Sequence, residues 1–376
     1  MIVFNTEKFR LLAFVVGLAL VLFGVGSANG ADTDDSGSFL ASLKNVANPS
    51  TVPANGDENP YGVAFVSRGG GLLKAGSILV SNFNNSMNSQ GTGTTIVQVD
   101  KHDNQSLFFR GKRALGLTTA LGVLPQDLVI VGNVPTTNGM SDTVMQGSLL
   151  IVSPKGVLID TLTSSTLLDG PWDLTVQANG SSALVFVSNV LSGTVTRLNI
   201  TVKRGTPTVT SMTQIASGYL HKTDPAALVI GPTGLVFDST KDLLYVASTG
   251  DNEIFSIANA GTTTTDNGMG TVVYSDPAHL HGPLALAMAP NGDLLTSNGD
   301  AVNPDPRHNS EIVEFTPSGS FVDQLQVDSV AGAAFGIAVS SGELAAVDDN
   351  PNTLGIFVDS DTDTGKGMGG MGMMGM

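Results

Sequence analysis

One phrase returns six times along the chain, and its period constrains the fold more than any other feature. Each copy opens on a small or turn-forming residue, runs through small apolar residues, turns, and gives a second apolar run ending in a small polar pair. The copies are "NPYGVAFVSRGGGLLKAGSILVSNF" from Asn59, "GLTTALGVLPQDLVIVGN" from Gly116, "GPWDLTVQANGSSALVFVSN" from Gly170, "GPTGLVFDSTKDLLYVAST" from Gly231, "GPLALAMAPNGDLLTSN" from Gly282 and "AAFGIAVSSGELAAVDD" from Ala333. Their terminal positions, Asn82, Asn133, Asn189, Thr249, Asn298 and Asp349, are 51, 56, 60, 49 and 51 residues apart. Self-similarity at that period, built from short strands with no sustained helical periodicity, is the signature of a propeller.

The rest of each repeat completes a blade. A third apolar run follows every pair, from "TTIVQV" (94–99) to "LGIFVD" (354–359), and a fourth follows in several copies, as in "SLFFR", "GVLIDTL" and "SFVDQLQVD". "PNGD" (290–293) and "ANGSS" (178–182) read as Asn-Gly hairpin turns between first and second strands. The expected fold is therefore all-β: a six-bladed β-propeller of four-stranded antiparallel blades over residues 31–359, with blades starting near 59, 116, 170, 231, 282 and 333. "SFLASLKNVA" (38–47) is placed to supply the missing outer strand of the sixth blade and so to seal the ring.

The two ends fall outside that domain. Lys8 and Arg10 precede an apolar stretch, Leu11 to Gly26, which is followed by the small residues Ser27 to Ala31. This reads as a signal peptide over residues 1–30, cut near Gly30. Its sixteen apolar residues are short of the ~20 that a spanning helix needs, which sets it against the alternative of an uncleaved anchor. Export to the periplasm or outside the cell is the expectation. The absence of cysteine excludes disulfides and thiolate metal sites and points to a bacterial or archaeal envelope. The net charge of −16 repels phosphate backbones, so nucleic acid is excluded as a partner. The tail, 360–376, is Asp-, Gly- and Met-rich. It reads as a flexible end, with Met368, Met371 and Met374 as an alternative thioether set for Cu(I).

"GPTGLVFDSTKDLLYVASTGDNEIFSI" and "GPLALAMAPNGDLLTSNGDAV" resemble NHL repeats, and the chain from about residue 40 to 359 is similar to the propellers of the gluconolactonase/regucalcin-like group. That family carries one divalent ion in its channel, held by acidic and Asn side chains. The resemblance thus implies Ca²⁺ or another divalent ion here, with Asn82, Asn189, Asn298 and Asp349 as its ligands and Asp173 as general base of a lactonase or esterase. The match is partial: the phrase "DGPWD" (169–173) stands in the third copy rather than the first, and Thr233 occupies a position where the family often has Asn.

The residues themselves set two readings side by side. The chain direction within a blade places the end of strand two beside the start of strand one, so all six polar pairs are expected around one mouth of the channel. Asn and Asp end strands because they bond nearby amides and tolerate turn geometry. The same ring, Asn82, Asn133, Asn189, Asn298 and Asp349, can instead bind a ligand, with Trp172 as an aromatic floor rather than core. If Trp172 packs between blades, Asp173 faces the channel. His279 and His281, as H-x-H on a strand, would form a transition-metal pair, with His308 on a nearby loop. Long loops after strand two in blades one, two and five decorate this same mouth, where function is expected. The reading favoured is a binding module for a small molecule, a glycan or an envelope protein, because no complete acid/base set is visible. A metal-dependent hydrolase is the alternative.

Overall fold

The computed structural model describes residues 37–360, and all structural statements refer to these. Among them, six four-stranded antiparallel sheets form the blades of a β-propeller. The inner strands are Glu58–Phe65, Leu117–Val123, Pro171–Asn179, Pro232–Asp238, Pro283–Met288 and Ala334–Ser340. Each pairs with a second strand whose residues are almost all buried, as in Ile78–Asn84 and Val129–Asn133. Second and third strands are covered by a neighbouring blade on both faces, which is why they read as continuous apolar runs rather than as alternations. Clusters that join consecutive blades bear this out: Leu128, Ile130 and Leu149 of blade two pack with Val185, Val187 and Leu198 of blade three. Outer strands such as Leu158–Leu162 are largely exposed.

The ring is closed by pairing the two ends of the propeller. Leu43–Ala47 runs antiparallel to Thr353–Asp359 and completes blade six. The expected outer strand is shorter than 38–47, because Phe39–Ser42 forms one helical turn capped by the Ser38 hydroxyl. The turn exists to insert Phe39 and Leu40 between blades five and six, against Leu295, Ile312, Leu344 and Phe357. Glu314 of blade five holds it there: its carboxylate accepts the Phe39 and Leu40 amides, each at 2.9 Å, the Ser38 hydroxyl at 2.8 Å and the Asn291 amide at 2.8 Å.

Each inner strand carries a bulge at its start. Register shifts between Pro60 and Val63, Leu117 and Leu121, Pro171 and Asp173, Pro232 and Leu235, Pro283 and Leu286, and Ala334 and Ile337. A bulge leaves residues unpaired and re-aims their side chains. The residues set free here include Tyr61, Trp172, Thr233, Leu284 and Phe335.

Candidate functional site

The recurring Ser-Asn pair is answered by those bulges. Ser81 accepts the freed amide of Gly62 at 2.9 Å and donates to the Thr118 carbonyl of the next blade at 2.8 Å. Ser297 likewise accepts from Ala285 and donates to Phe335, and Ser188 accepts from Asp173. Leaving such a buried amide unpaired would cost ~1–3 kcal/mol, so the serine maintains the kink. In blade two Gly132 stands there instead, because a Cβ would lie 2.6 Å from the Pro171 carbonyl. Thr118 makes the bond to that carbonyl, at 2.9 Å.

The asparagines close the blade corners. Asn189 accepts the Asp169 amide and donates to Thr194 and Thr196. Asn298 accepts the His281 amide and donates to the His279 carbonyl. Asn133 accepts from Ser148 and donates to Leu115, and Asn82 donates to Thr51 and Thr95. Asn133, Asn189 and Asn298 are thus bonded through both ends of the carboxamide within their own corners, while Asn82 is held through its Nδ2 and its Oδ1 is buried without a partner; no hydrogen bond joins Asn82, Asn189, Asn298 and Asp349 to one another.

Asp349 differs for a reason of register. The ladder pairs Pro60 with Asn82, Pro171 with Asn189 and Pro283 with Asn298, but Pro232 with Ser248 and Ala334 with Asp348. Ser248 and Asp348 are therefore the counterparts of the asparagines, and Thr249 and Asp349 stand one residue further on. Backbone bonds agree: the amides of Val134, Val190, Thr249, Gly299 and Asp349 reach the carbonyls of Gly116, Gly170, Gly231, Gly282 and Ala333. This next position, not the asparagine position, reaches toward the mouth: Thr249, Gly299 and Asp349 line it, and Phe83, Val134 and Val190 are buried in one cluster with Tyr61 and Trp172.

Around it lies a cavity of about 380 Å³ lined by Trp172, Leu284, Phe335, Thr249, Asp349, Asp300 and Asn59, among others. Its aromatic residues belong to one stack: Tyr61 lies 4.2 Å from Phe335 and 4.6 Å from Phe83, and Trp172 meets Tyr61 and Phe83 edge-on. Trp172 is both core and cavity wall, 3% exposed. Its indole Nε1 and the Asn59 Oδ1 are buried and have no hydrogen-bond partner. Burial, reinforced by the charges of Glu58 and Asp328, pushes the Asp349 carboxyl up to about 7. One wall comes from a hairpin, Lys222–Asp224 with Leu228–Ile230, which contributes Ala226, Ala227 and Val229. The sequence reading missed it; its only signal was the Asp-Pro turn in "TDPAALVI", where the Asp224 side chain accepts the Ala226 amide.

Further along the inner strands lies a second cavity of about 300 Å³, with Asp173 in its wall. Asp173 faces the channel as expected, but each carboxylate oxygen already accepts an amide, Leu174 at 2.8 Å and Leu235 at 3.0 Å. Burial raises it to about 7 against those two bonds. It staples blade three to blade four. A larger hollow, about 780 Å³, is a groove between the same blades around Asn179, Phe237 and Asp242.

The histidines do not form the expected strand pair, because the inner strand begins only at Pro283 and the H-x-H lies in the preceding turn. His279 bonds Asp276 at 2.6 Å and stacks on Phe321, while His281 is buried with its Nδ1 2.6 Å from the Asn303 carbonyl. Together with His308 they line a hollow of about 390 Å³ under the blade-five loop. Among the described residues no group of three or more His, Asp or Glu is spaced to hold a metal. Met368, Met371 and Met374 lie outside the described residues, as does the segment read as a signal peptide.

No protein-family model matches the chain, and no curated protein matches its sequence. Solved structures do. Virginiamycin B lyase from Staphylococcus aureus is 13% identical, with a TM-score of 0.51 over 84% of this chain and 99% of its own. A provisionally assigned gluconolactonase is also 13% identical, with a TM-score of 0.50 over 86% of this chain and 97% of its own. Regucalcin from Agrobacterium tumefaciens, described as a calcium-binding protein, is 12% identical with a TM-score of 0.49, covering 84% and 93%. At such identities the likeness shows the fold, and the chain is a six-bladed β-propeller similar to those of the gluconolactonase/regucalcin-like group.

Proposed function

We propose that the protein is an exported binding module that takes a small molecule in the cavity at the decorated mouth. The observation that carries this reading is a set of three unsatisfied groups on the cavity wall, the Trp172 indole N–H, the Asn59 carbonyl oxygen and one Asp300 carboxylate oxygen. An unpaired buried polar group costs ~1–3 kcal/mol, and a ligand offering one acceptor and a donor group with two N–H or O–H bonds removes these penalties together. Volume and composition fit a ligand pocket: mainly apolar walls with a few convergent polar groups. Placement in the periplasm or outside the cell belongs to the same proposal and rests on residues 1–30.

The hydrolase alternative has less support. Asp173, the residue read as general base, is raised to about 7, as Asp349 is, but its two oxygens are occupied by backbone amides. The asparagines proposed as ion ligands are held in blade corners. The test is a thermal-shift screen of amines, sugars and hydroxy acids, run beside lactone and ester hydrolysis with and without added Ca²⁺. Binders that shift the melt and change Trp172 emission, without turnover, are expected. Calcium-dependent hydrolysis abolished by Asp173→Asn would overturn the binding reading in favour of the enzyme.

A further inference from the structure

Fifteen residues line the mouth cavity, and none of them is Lys, Arg or His. Two are carboxylates, Asp300 from the loop after strand two of blade five and Asp349 from blade six. Among the described residues neither has a basic partner within ion-pair distance. Asp300 accepts the Ser310 and Gly332 amides through one oxygen, each at 2.9 Å, and its other oxygen is buried without a partner. The charges that act on Asp349 are those of Glu58 and Asp328, both acidic. The site thus holds negative charge that no side chain among the described residues neutralises.

Beside that charge stand the aromatic rings. The faces of stacked aromatics are electron-rich and attract cations, most strongly where water is excluded. An anionic ligand would meet two carboxylates with no counter-charge, which costs affinity. A neutral sugar would use the Trp172 surface and leave the carboxylates uncompensated. A bare divalent ion would gain nothing from Trp172, Leu284 and Phe335, because hard cations take oxygen ligands.

We propose that the mouth binds an organic ammonium, a protonated amine carried on an apolar body that also bears a hydrogen-bond acceptor. The amine sits between Asp349, Asp300 and the free Asn59 oxygen. The body lies on Trp172, Phe335 and Leu284, and its acceptor takes the indole N–H. This rests on the mouth being the ligand site.

Three probes of matched shape, each with a methoxy oxygen as acceptor, separate the two claims: 2-(4-methoxyphenyl)ethylamine, 2-(4-methoxyphenyl)ethanol and 4-methoxyphenylacetate. Each is titrated into the full protein at pH 8 and low salt, and read by calorimetry and by emission of Trp172, the chain's single tryptophan. The amine is expected to bind about tenfold tighter than either partner, the scale of one desolvated cation–π or charge contact. Asp349→Asn is expected to remove most of that preference and to leave the alcohol's affinity within about twofold. Equal or tighter binding of the alcohol or the acid, with a change in Trp172 emission, would overturn the cation claim and leave the mouth as the site. No binding by any of the three would overturn both. The wild-type ranking decides the question even if the variant folds poorly.

Discussion

Glu314→Ala is the substitution that tests how the ring is held shut. The carboxylate is fully buried and accepts the Phe39 and Leu40 amides, the Ser38 hydroxyl and the Asn291 amide. Hydrogen bonds to a charged group contribute ~1.5–3 kcal/mol each, and two of these donors are backbone amides with nowhere else to turn while Phe39 and Leu40 stay buried. Water reaches part of the vacated space, so the net loss is about 3–6 kcal/mol rather than the full sum. The described chain has 324 residues, and at ~2.1 cal/mol/K per residue its unfolding entropy is ~0.7 kcal/mol/K. The melting temperature should therefore fall by about 4–9 °C. Hydrogen exchange should quicken first at Leu43–Ala47, the strand that closes blade six. Glu314→Gln keeps the shape but turns an NH₂ toward two donors, so it should lie between wild type and Glu314→Ala. A Glu314→Ala melt within about 1 °C of wild type, well short of the ~4 °C floor, with unchanged exchange at 43–47, would refute the clasp.

Asp173, Asp348 and Asp349 all stand near 7, raised first by burial. A carboxyl whose folded value exceeds its unfolded one stabilises the fold below pH ~4, and that stability is lost as pH rises toward ~7. Unfolding free energy should fall across that window, with Asp173 contributing on the order of 4 kcal/mol; Asp173→Asn should flatten the profile, and an unchanged slope in urea titrations would dismiss this account. Carboxyls with lowered values, such as Asp238 and Asp276, act below pH ~4 and leave the window clear. Gly336→Ala would set a Cβ 1.9 Å from the Tyr61 carbonyl. It should cost ~1–3 kcal/mol through the aromatic stack, and a neutral melt would mean that blades six and one approach less closely. Since the carbonyl oxygens of Asn133, Asn189 and Asn298 are already bonded and only that of Asn82 is free, adding Ca²⁺ or chelator should leave the melt unchanged, and stabilisation by calcium would restore a channel ion.

The architecture was legible because a propeller repeats its constraints. Six copies of one apolar pattern leave few alternatives, and both the third strands and the closing strand could be placed from it. What the pattern hid is local. The helical turn at Phe39–Ser42 is set by Ser38 and by a carboxylate far along the chain, neither of which alters the apolar run. The hairpin over the mouth has strands of three residues, too short to show a period.

The site itself turned on a slip of one residue. In blades four and six the pairs "ST" and "DD" end with a polar residue just beyond the asparagine position, so an alignment by chemistry matched Thr249 and Asp349 to the asparagines. The ladder matches Ser248 and Asp348 instead. In a strand, one residue changes which face a side chain takes. Asn82, Asn133, Asn189 and Asn298 therefore turn into blade corners while Asp349, one place on, reaches the mouth and lines the same cavity as Asn59 and Phe335. A ring of equivalent oxygens would suit an ion on the axis. A lone carboxylate among Phe83, Val134, Val190, Thr249 and Gly299 breaks the sixfold repeat at one point, and an off-centre charge beside an aromatic wall suits an asymmetric organic ligand.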